Sequence, residues 1–480
     1  MRFALPTRAA VLAAAALLLA AAGPARADTG YGPLPPHNPY AGPDGTATMH
    51  GDTGSSDATP LPGPRPGPLA SDRVALQSAC PTVLVGSDGY PVALCTTIFG
   101  LTPTVHLLDP ADGGSLAELP LAKGSLLGGV YAYLDQRDRL VAVDGAGTLL
   151  RIGHHRTAAG AWELTVDSGL PLAGAVPVGD AVTGISPDWQ GRVWFATGGG
   201  VVGTADDRTG VVRALALPAG ERIANSISTA PAGTAVATTH ATYLLTADAD
   251  GTPRIAWRRA YDRGPGRKPG QLSWGTGSAP TFFGPVTGTD YVTVVDNAAP
   301  TVNLLVYRAG DGSQVCSVPV LRAGGSGSEN SPVAVGATVL VASTYGYPYP
   351  KLPEDAGPSV PSSGAFQGGL SRVDVRADGS GCDLVWDNRV RSAAVPRLST
   401  ADGLLHTVLR GPVIPGTNAT SVLDPYYYAE IDPRSGAVVR TEYTGAGFIF
   451  DTLQMVGSIA PGGVVYQGTT TGVLRITAAG

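Results

Sequence analysis

The chain of 480 residues is long enough for one large repeat domain or for about three ordinary domains. It has 66 glycines without a three-residue period and is 43% hydrophobic, which excludes a collagen-like structure and wholesale disorder. Its formal net charge is −6 and no part of it is a basic domain, which argues against nucleic acid or anionic lipid as a partner.

Residues 1–27 have the parts of a secretory signal peptide. Arg2 and Arg8 form a basic region, residues 9–22 are rich in Ala, Leu and Val, and Ala25-Arg26-Ala27 fits a cleavage site. The apolar stretch is too short for a good membrane span. We therefore expect a secreted, extracellular protein that is cleaved after Ala27. Only three lysines stand among the 32 basic residues, a bias typical of a GC-rich bacterial genome such as that of an actinomycete.

Residues 28–70 form a leader that is rich in Pro and Gly and has little apolar periodicity, as in a solvated polyproline-like segment. The leader also contains His37, His50 and Asp52, whose side chains suit a metal ion. Their spacing matches no recognised ligand pattern, so we predict no metal site. We expect instead that the leader packs on one face of the following domain, with the histidines as hydrogen-bond anchors.

From residue 71 to the end, short apolar runs alternate with turns in which Asp precedes Gly by a few residues. Asp caps a tight turn through its carboxylate, and Gly adopts the positive φ that such a turn requires. A small residue followed by Pro opens an apolar run about 25–45 residues before most of these turns. The turn motif recurs at residues 107–113, 142–147, 204–210, 245–251, 306–312, 373–379 and 430–436.

These repeats of about 40–60 residues predict an all-β fold, a single β-propeller over residues 71–480 with four-stranded antiparallel blades. The last repeat has three strands, and residues 71–78 supply a fourth that closes the ring. Eight blades are predicted, and seven is the alternative if one short unit is misread. The blades lie near residues 79–122, 129–168, 180–218, 223–262, 276–321, 329–388, 392–443 and 448–478.

The four cysteines fit an oxidising compartment. They allow three pairings. We favour Cys80–Cys95 and Cys316–Cys382, because each pair then lies within one predicted blade or joins two neighbouring blades.

The turn Ile431-Asp-Pro-Arg-Ser-Gly436 is the clearest copy of a motif that resembles blades of the quinoprotein-alcohol-dehydrogenase-like (PQQ/YVTN-type) repeat propellers. The resemblance covers most of residues 79–478 and implies the fold rather than an activity. Dehydrogenases of that superfamily usually carry adjacent cysteines against the cofactor and Trp-bearing docking repeats, and this chain has neither. No cofactor is predicted, with Ca²⁺ and pyrroloquinoline quinone as the alternatives.

Ligand sites of propellers lie where the loops before the innermost strands converge on a central channel. Glu329 precedes such a strand, and with Asp296 or Asp188 it would form the carboxylate pair of glycoside cleavage. The amides of Asn330, Asn225 and Asn297 occupy comparable loop positions and are candidate ligand-binding groups. Asn and Asp at such positions also often bond to backbone groups of turns, which is the structural alternative.

Three further residues are candidate ligand contacts. Arg389 and Arg391 would project to one side of an extended segment and hold an anionic group by bidentate hydrogen bonds. Trp274 lies near a channel loop and would stack on a sugar ring, unless it packs in the core.

The sequence therefore predicts a monomeric secreted propeller that binds or processes an extracellular carbohydrate or a small anionic ligand at its central channel. Whether it is an enzyme is left open. If it is one, a glycoside hydrolase or polysaccharide lyase is favoured over an oxidoreductase. The alternative is a non-catalytic scaffold that presents its rim loops to another surface protein, and a quinone-dependent dehydrogenase is the third reading.

Overall fold

A computed structural model describes Met1, residues 30–124 and residues 131–479 of the chain. The predicted signal peptide beyond Met1 and its cleavage site lie outside the described residues. Regular structure in the described residues is almost entirely β, with one short 3-10 helix at Phe448–Phe450. Within these residues, no helix combines the length and hydropathy that a membrane span requires.

The strands form eight sheets arranged as an eight-bladed β-propeller, and each blade has four antiparallel strands. This confirms the predicted fold and the larger of the two blade numbers. The short strand Ala58–Thr59 adds to blade 7 by pairing parallel with its innermost strand, Arg397–Ser399. The chain enters each blade at its innermost strand and moves outward. From the innermost strand outward, blade 1 contains Ser78–Val85, Pro91–Thr97, Pro103–Leu108 and Ser115–Pro120, and blade 2 contains Tyr133–Leu134, Leu140–Val143, Thr148–Arg156 and Trp162–Pro171. Blade 3 contains Val182–Pro187, Val193–Thr197, Val201–Asp206 and Val211–Ala216, and blade 4 contains Ser228–Ala230, Gly233–Ala237, Ala241–Ala247 and Pro253–Ala260.

Blades 5 to 8 follow the same plan, except that the outermost strand of blade 8 comes from the start of the domain. Blade 5 contains Thr281–Phe283, Tyr291–Val295, Asn303–Arg308 and Gln314–Pro319, and blade 6 contains Val333–Val335, Thr338–Ala342, Leu370–Val375 and Cys382–Asp387. Blade 7 contains Arg397–Ser399, Leu405–Arg410, Pro425–Asp432 and Ala437–Ala446, and blade 8 contains Ser458–Ala460, Val464–Thr469, Gly472–Ala478 and Leu69–Ala75.

Ring closure joins the two ends of the domain within blade 8. Leu69–Ala75 pairs antiparallel with Gly472–Ala478, from Leu69 opposite Ala478 to Ala75 opposite Gly472. The observed strand begins two residues before the run of residues 71–78 that the sequence assigned to this role. Because the first and last strands share one sheet, the ring has no open edge between its ends.

The Asp–Gly turns fold as their chemistry requires. In blade 7, the Asp432 carboxylate accepts a hydrogen bond from the Arg434 backbone amide at 2.8 Å, and Gly436 has a φ of 72°. In blade 3, Asp206 and Gly210 repeat this arrangement, with a φ of 74° at the glycine. A side chain at these glycines would be strained, which explains why the motif recurs.

Both favoured disulfides are present. Cys80–Cys95 joins the innermost strand of blade 1 to its second strand, and Cys316–Cys382 joins the outermost strands of blades 5 and 6. Between blades, the core consists of apolar side chains from facing sheets; for example, Phe282 and Tyr307 of blade 5 pack with Leu244 and Trp257 of blade 4. Burying each such side chain contributes about 1.5–3 kcal/mol.

The central channel is filled along part of its length by residues 38–63, called here the channel segment. At one end Asn38 Nδ2 donates to the Pro187 carbonyl at 2.9 Å, and at the other the Gly63 amide donates to Asp402 at 2.7 Å. Residues 50–59 are all buried. Backbone carbonyls of the segment accept hydrogen bonds from innermost strands of six blades, in the pairs Thr46–Val85, Ala47–Leu134, Thr53–Thr229, Gly54–Phe282, Ser56–Ala334 and Asp57–Leu398.

These contacts lie at the middle or the carboxyl end of each innermost strand. The channel segment therefore closes the lower end of the channel, defined as the end at which the innermost strands finish. The upper end, where the chain enters each innermost strand, is lined by the loops that precede the strands.

Candidate functional site

Loops of blades 2, 4 and 6 meet at the upper end of the channel. The Tyr131 hydroxyl, just before the innermost strand of blade 2, donates to Asn225 Oδ1 of blade 4 at 3.0 Å. The Glu329 carboxyl of blade 6 is close enough that its charge raises the pKa of Tyr131, although burial is the larger cause of that increase. Two residues that the sequence selected, Asn225 and Glu329, are thus brought to one place around Tyr131.

Glu329 is the most unusual group of this site. Its side chain is buried, and neither Oε1 nor Oε2 has a partner in full hydrogen-bond geometry among the described residues, although the Leu272 amide and the Ser273 hydroxyl lie beside the carboxyl group. Burial raises the pKa of Glu329 to about 8, while the Leu272 amide, the Arg267 charge and the Ser273 hydroxyl act in the opposite direction. The carboxyl group is therefore protonated at neutral pH, when it can both donate and accept a hydrogen bond.

The channel segment supplies a second polar group from below. His50 Nδ1 lies 3.0 Å from Asp57 Oδ1 and 3.1 Å from the Ser331 hydroxyl, and that hydroxyl donates to Asp57 Oδ2 at 2.6 Å. The His50 ring stacks against Tyr131, with ring centroids 6.4 Å apart. Asp57 and Ser331 thus hold His50 through Nδ1, while Nε2 has no hydrogen-bond partner among the described residues.

Three polar groups around Tyr131 lack partners among the described residues: the Glu329 carboxyl, Asn225 Nδ2 and His50 Nε2. A buried polar group without a hydrogen bond costs about 1–3 kcal/mol, so such groups require an explanation. A cavity of about 20 Å³ beside His50, Tyr131 and Ser226 has room for one water molecule. The convergence of three such groups marks this end of the channel as the candidate site.

Two long loops cover the site from above. The first, residues 261–280, connects blades 4 and 5 and places Leu272 and Ser273 beside Glu329. The second, residues 343–369, lies within blade 6 and places Tyr349 close to Glu329, whose charge together with burial raises the pKa of that tyrosine. The loops are joined by backbone hydrogen bonds from Gly346 to Pro269 at 2.8 Å and from Val360 to Arg267 at 2.7 Å. We call them the cap loops.

Asn330 supports the site without facing it. Its Nδ2 donates to Gln454 Oε1 at 3.0 Å, and Gln454 Nε2 donates to the Ser392 carbonyl at 2.9 Å. This chain of bonds links the loops before the innermost strands of blades 6, 7 and 8, so Asn330 fixes the loop that carries Glu329.

The structure does not bring Asp188 or Asp296 to Glu329. Asp188 follows the innermost strand of blade 3 and therefore lies at the lower end, where it accepts hydrogen bonds from Arg192 Nε at 2.8 Å and Trp194 Nε1 at 3.1 Å. Asp296 holds a turn through the Asn303 side chain at 2.8 Å, and its pKa is raised because burial outweighs these bonds. Both are turn-capping residues, and the expected carboxylate pair does not form.

Asn297 and Trp274 contribute to the cap loop of residues 261–280. Asn297 Nδ2 donates to the carbonyls of Arg263 at 2.7 Å and Gly266 at 2.9 Å. Trp274 is exposed, its Nε1 donates to the Arg263 carbonyl at 3.0 Å, and the Arg263 guanidinium lies 4.2 Å from its ring centroid. Neither side chain reaches Glu329 through any contact of the described residues.

Arg389 and Arg391 have different surroundings and do not form the expected pair. Arg389 is exposed and its Nε donates to the Ala323 carbonyl at 2.5 Å. The Arg391 guanidinium is buried 5.1 Å from the Phe366 ring centroid, and burial lowers its pKa. A shared bidentate contact to one anion is therefore not available to the two arginines in this conformation.

Sequence reasoning missed Tyr131, Tyr349 and Ser331, and treated His50 only as an anchor of the leader. Nothing in the local sequence marks them, because each reaches the site through long-range packing. His37 lies elsewhere, 2.9 Å from Asp44 at the surface. No set of three His, Cys, Asp or Glu side chains suited to a metal ion occurs in residues 30–124 and 131–479.

The sequence matches no protein-family model and no curated protein. Among solved structures, a europium-containing methanol dehydrogenase is similar with a TM-score of 0.52 and 10% identity, over 90% of this chain and 98% of that one. The quinohemoprotein alcohol dehydrogenase of Comamonas testosteroni is similar with a TM-score of 0.52 and 11% sequence identity, over 90% of this chain and 80% of that one. BamB of Moraxella catarrhalis has a TM-score of 0.39 and 12% sequence identity, over 74% of this chain and 94% of that one. What the two dehydrogenase structures share with this chain is the propeller fold.

The resemblance to quinoprotein propellers is confirmed for the fold, and the channel decides whether the cofactor fits. The channel segment closes the lower end, and the Glu329 carboxyl packs against the backbone of Gly277 at the upper end. The cavity beside Tyr131 and His50, between blades 2 to 4 and the channel segment, has a volume of about 20 Å³. A fused three-ring quinone is many times larger than one water molecule. The residues present do not fit the cofactor, and we derive no step through it.

Proposed function

We propose that the protein binds a small neutral, hydroxyl-rich ligand of the carbohydrate class at the upper end of its channel. Three polar groups carry this proposal: Asn225, which accepts from Tyr131, His50, which stacks on Tyr131, and the Glu329 carboxyl, whose charge acts on Tyr131. A protonated carboxyl, an amide N–H and an imidazole nitrogen complement hydroxyl groups, which both donate and accept hydrogen bonds.

The neutral character of the ligand follows from the charges around the site. Arg389 and Arg391 lie elsewhere, and the Arg397 guanidinium is held near Asp57. Glu329 is the nearest unpaired acid and carries a proton at neutral pH. Arg267, whose charge acts on Glu329, already donates from its guanidinium to the Gln271 and Gly357 carbonyls, so a ligand anion would lose its hydration here with little compensation.

The proposal is for binding rather than glycoside cleavage. Cleavage by either stereochemical route uses two carboxyl groups on opposite sides of the scissile bond. Asp188 and Asp296 hold turns, and Asp57 is hydrogen-bonded to His50 and Ser331, so Glu329 has no free carboxylate partner. Because the cap loop of residues 261–280 packs on Glu329 through Leu272, Ser273 and Gly277, the ligand enters when this loop moves away from the carboxyl group.

The test is a calorimetric and thermal-shift screen of the mature chain against neutral and acidic oligosaccharide fragments. A ligand at 100 times its Kd stabilises the folded state by about 2.7 kcal/mol, which such a screen detects. We expect a neutral fragment to bind, and Asn225→Ala and Glu329→Leu each to weaken binding by about tenfold, as for one lost neutral hydrogen bond, whereas Glu329→Gln, which still donates and accepts, should retain it. Asp296→Asn is the control, since this carboxylate lies outside the site. Binding of acidic fragments alone, or unchanged affinity in both Asn225→Ala and Glu329→Leu, would overturn the proposal.

A further inference from the structure

Three loops on the upper face of blades 7, 8 and 1 expose large apolar side chains, and we call their exposed surface the rim patch. The loops comprise residues 98–101 of blade 1, residues 413–423 of blade 7 and residues 448–449 before blade 8. Phe99 is 84% exposed, Val422 73% and Leu423 66%. The most exposed members of the patch are Phe99, Leu101, Val413, Ile414, Val422 and Leu423.

The loops form one continuous surface because hydrogen bonds join each to the next. The Ile98 amide donates to the Gln77 carbonyl at 3.0 Å, and the adjacent Leu76 amide donates to the Thr471 carbonyl at 3.1 Å. The Thr471 hydroxyl donates to the Ile449 carbonyl at 3.1 Å. The Gly447 amide completes the series by donating to the Asp424 carbonyl at 3.0 Å.

The rim patch contains no charged side chain. Asp424 and Asp451, which border two of its loops, are buried and bonded to Arg410. Arg73 donates to Thr471 at its edge, and Lys123 lies near Gly100. An apolar centre with charges only at the margin is the composition of a protein interface with a polar rim.

The size of the patch matches a dimer interface. At about 150–200 Å² for each fully exposed large side chain, these loops expose roughly 700–900 Å² of apolar surface. The largest apolar patch of a typical monomer covers about 300–600 Å², whereas a standard interface buries about 800 Å² on each partner.

We propose that a second copy of this chain covers the rim patch in a twofold-symmetric dimer. An isologous interface brings the same surface of both copies together, so that surface must be self-complementary. A charge-free apolar surface meets this condition, because no like charges oppose each other across the axis. This revises the expectation of a monomer.

The dimer interface would adjoin one of the cap loops. The rim patch is centred on blade 8, and the cap loops belong to blades 4 to 6. Residues 343–369 reach the margin of the patch, because the Tyr347 hydroxyl donates to Asp451. Self-association is measured without ligand, so its failure and a failure of the binding proposal can be told apart.

Sedimentation velocity of the full mature chain over a concentration series tests the proposal. We expect the wild-type chain to sediment as a dimer, and the double variant Phe99→Ser/Leu423→Ser to raise the dimer dissociation constant by about 100-fold. Val178→Ser is the matched control, because Val178 is fully exposed in a loop between blades 2 and 3, outside the patch. We expect it to remain dimeric.

A wild-type chain that is monomeric at every concentration would overturn the proposal, as would a double variant that still dimerises. Sedimentation of a monomeric wild-type chain with neutral phosphatidylcholine vesicles would also overturn it and would assign the patch to a lipid surface. All substituted residues are exposed, so circular dichroism should show that the variants fold normally.

Discussion

Arg397 and Asp57 face each other across the boundary between the propeller ring and the channel segment, with Nη1 3.7 Å from Oδ1. Both side chains are buried. Arg397 also donates from Nη2 to the Met49 carbonyl at 2.7 Å and from Nε to the Gly457 carbonyl at 3.2 Å. One guanidinium thus connects blades 7 and 8 to the segment that closes the channel.

Replacing Arg397 should destabilise the protein strongly. Arg397→Met removes the cation near Asp57 and leaves the Met49 and Gly457 carbonyls without their donor, so we expect a loss of about 3–5 kcal/mol in the free energy of unfolding. Arg376→Met is the matched control, because Arg376 forms an exposed, solvent-screened pair with Asp383 that contributes little to stability. Guanidinium denaturation followed by tryptophan fluorescence measures both. Equal losses in the two variants would contradict the role given to Arg397.

The ring was predictable from sequence because its determinants are local. Each Asp–Gly turn, such as that of residues 430–436, specifies a hairpin through a capping carboxylate and a positive φ. The path of the channel segment was not predictable in this way. Its contacts to six blades are made by backbone carbonyls, which any sequence possesses, and it has no apolar period.

The candidate site was predictable only in part, for a related reason. Glu329 and Asn225 were selected because loops before innermost strands must converge in a propeller. The same rule cannot distinguish a carboxylate that caps its own turn, as Asp188 does, from one that faces the channel. Tyr349 reaches Glu329 from a loop of 27 residues, residues 343–369, whose fold has no local sequence signal.

Stability should fall as the pH rises, through Glu329. Its pKa is 4.5 ordinarily and about 8 in the folded protein. Between these values the folded state holds a proton that the unfolded state has released, so the free energy of unfolding decreases with pH. The contribution is fully present below about pH 4.5 and is lost as the pH passes about 8, at up to roughly 1.4 kcal/mol per pH unit.

Glu329→Gln removes this titration, so the variant should show a shallower loss of stability between about pH 5 and pH 8. Asp52, whose pKa burial raises to about 7, continues to contribute in the lower part of that range. Glu354→Gln is the control, since Glu354 is exposed in a cap loop. Denaturation midpoints at a series of pH values give the slopes. Identical slopes for wild type and Glu329→Gln would show that the carboxyl is not buried in the protonated form.

The two disulfides should differ in their access to reductant. Cys80 and Cys95 are buried in blade 1, whereas Cys316 and Cys382 are partly exposed on outermost strands. Under native conditions we expect dithiothreitol to open Cys316–Cys382 first, because thiolate attack requires access to the sulfur. Alkylation followed by peptide mass spectrometry identifies the order. On the chain-entropy model, opening this 66-residue loop costs about 4 kcal/mol of stability. Simultaneous labelling of all four cysteines would contradict the prediction.

Gly277 should be required for the burial of Glu329. A Cβ at this position would overlap Glu329 Oε2 and lie 2.7 Å from the Glu329 Cα, although the glycine itself has no positive φ. Gly277→Ala therefore forces the carboxyl out of its pocket or shifts the backbone, and we expect a loss of about 1–3 kcal/mol. Gly310→Ala is the matched control, because nothing lies within 4 Å of its Cβ position.

The pH dependence separates the two ways in which Gly277→Ala can act. If the carboxyl is expelled into solvent, its pKa returns toward the ordinary value, and the variant loses the same part of the pH slope as Glu329→Gln. If the backbone shifts instead, the slope persists on a less stable protein. The first outcome would show that the close packing of Gly277 keeps the carboxyl buried. An unchanged free energy of unfolding in Gly277→Ala would contradict the contact itself.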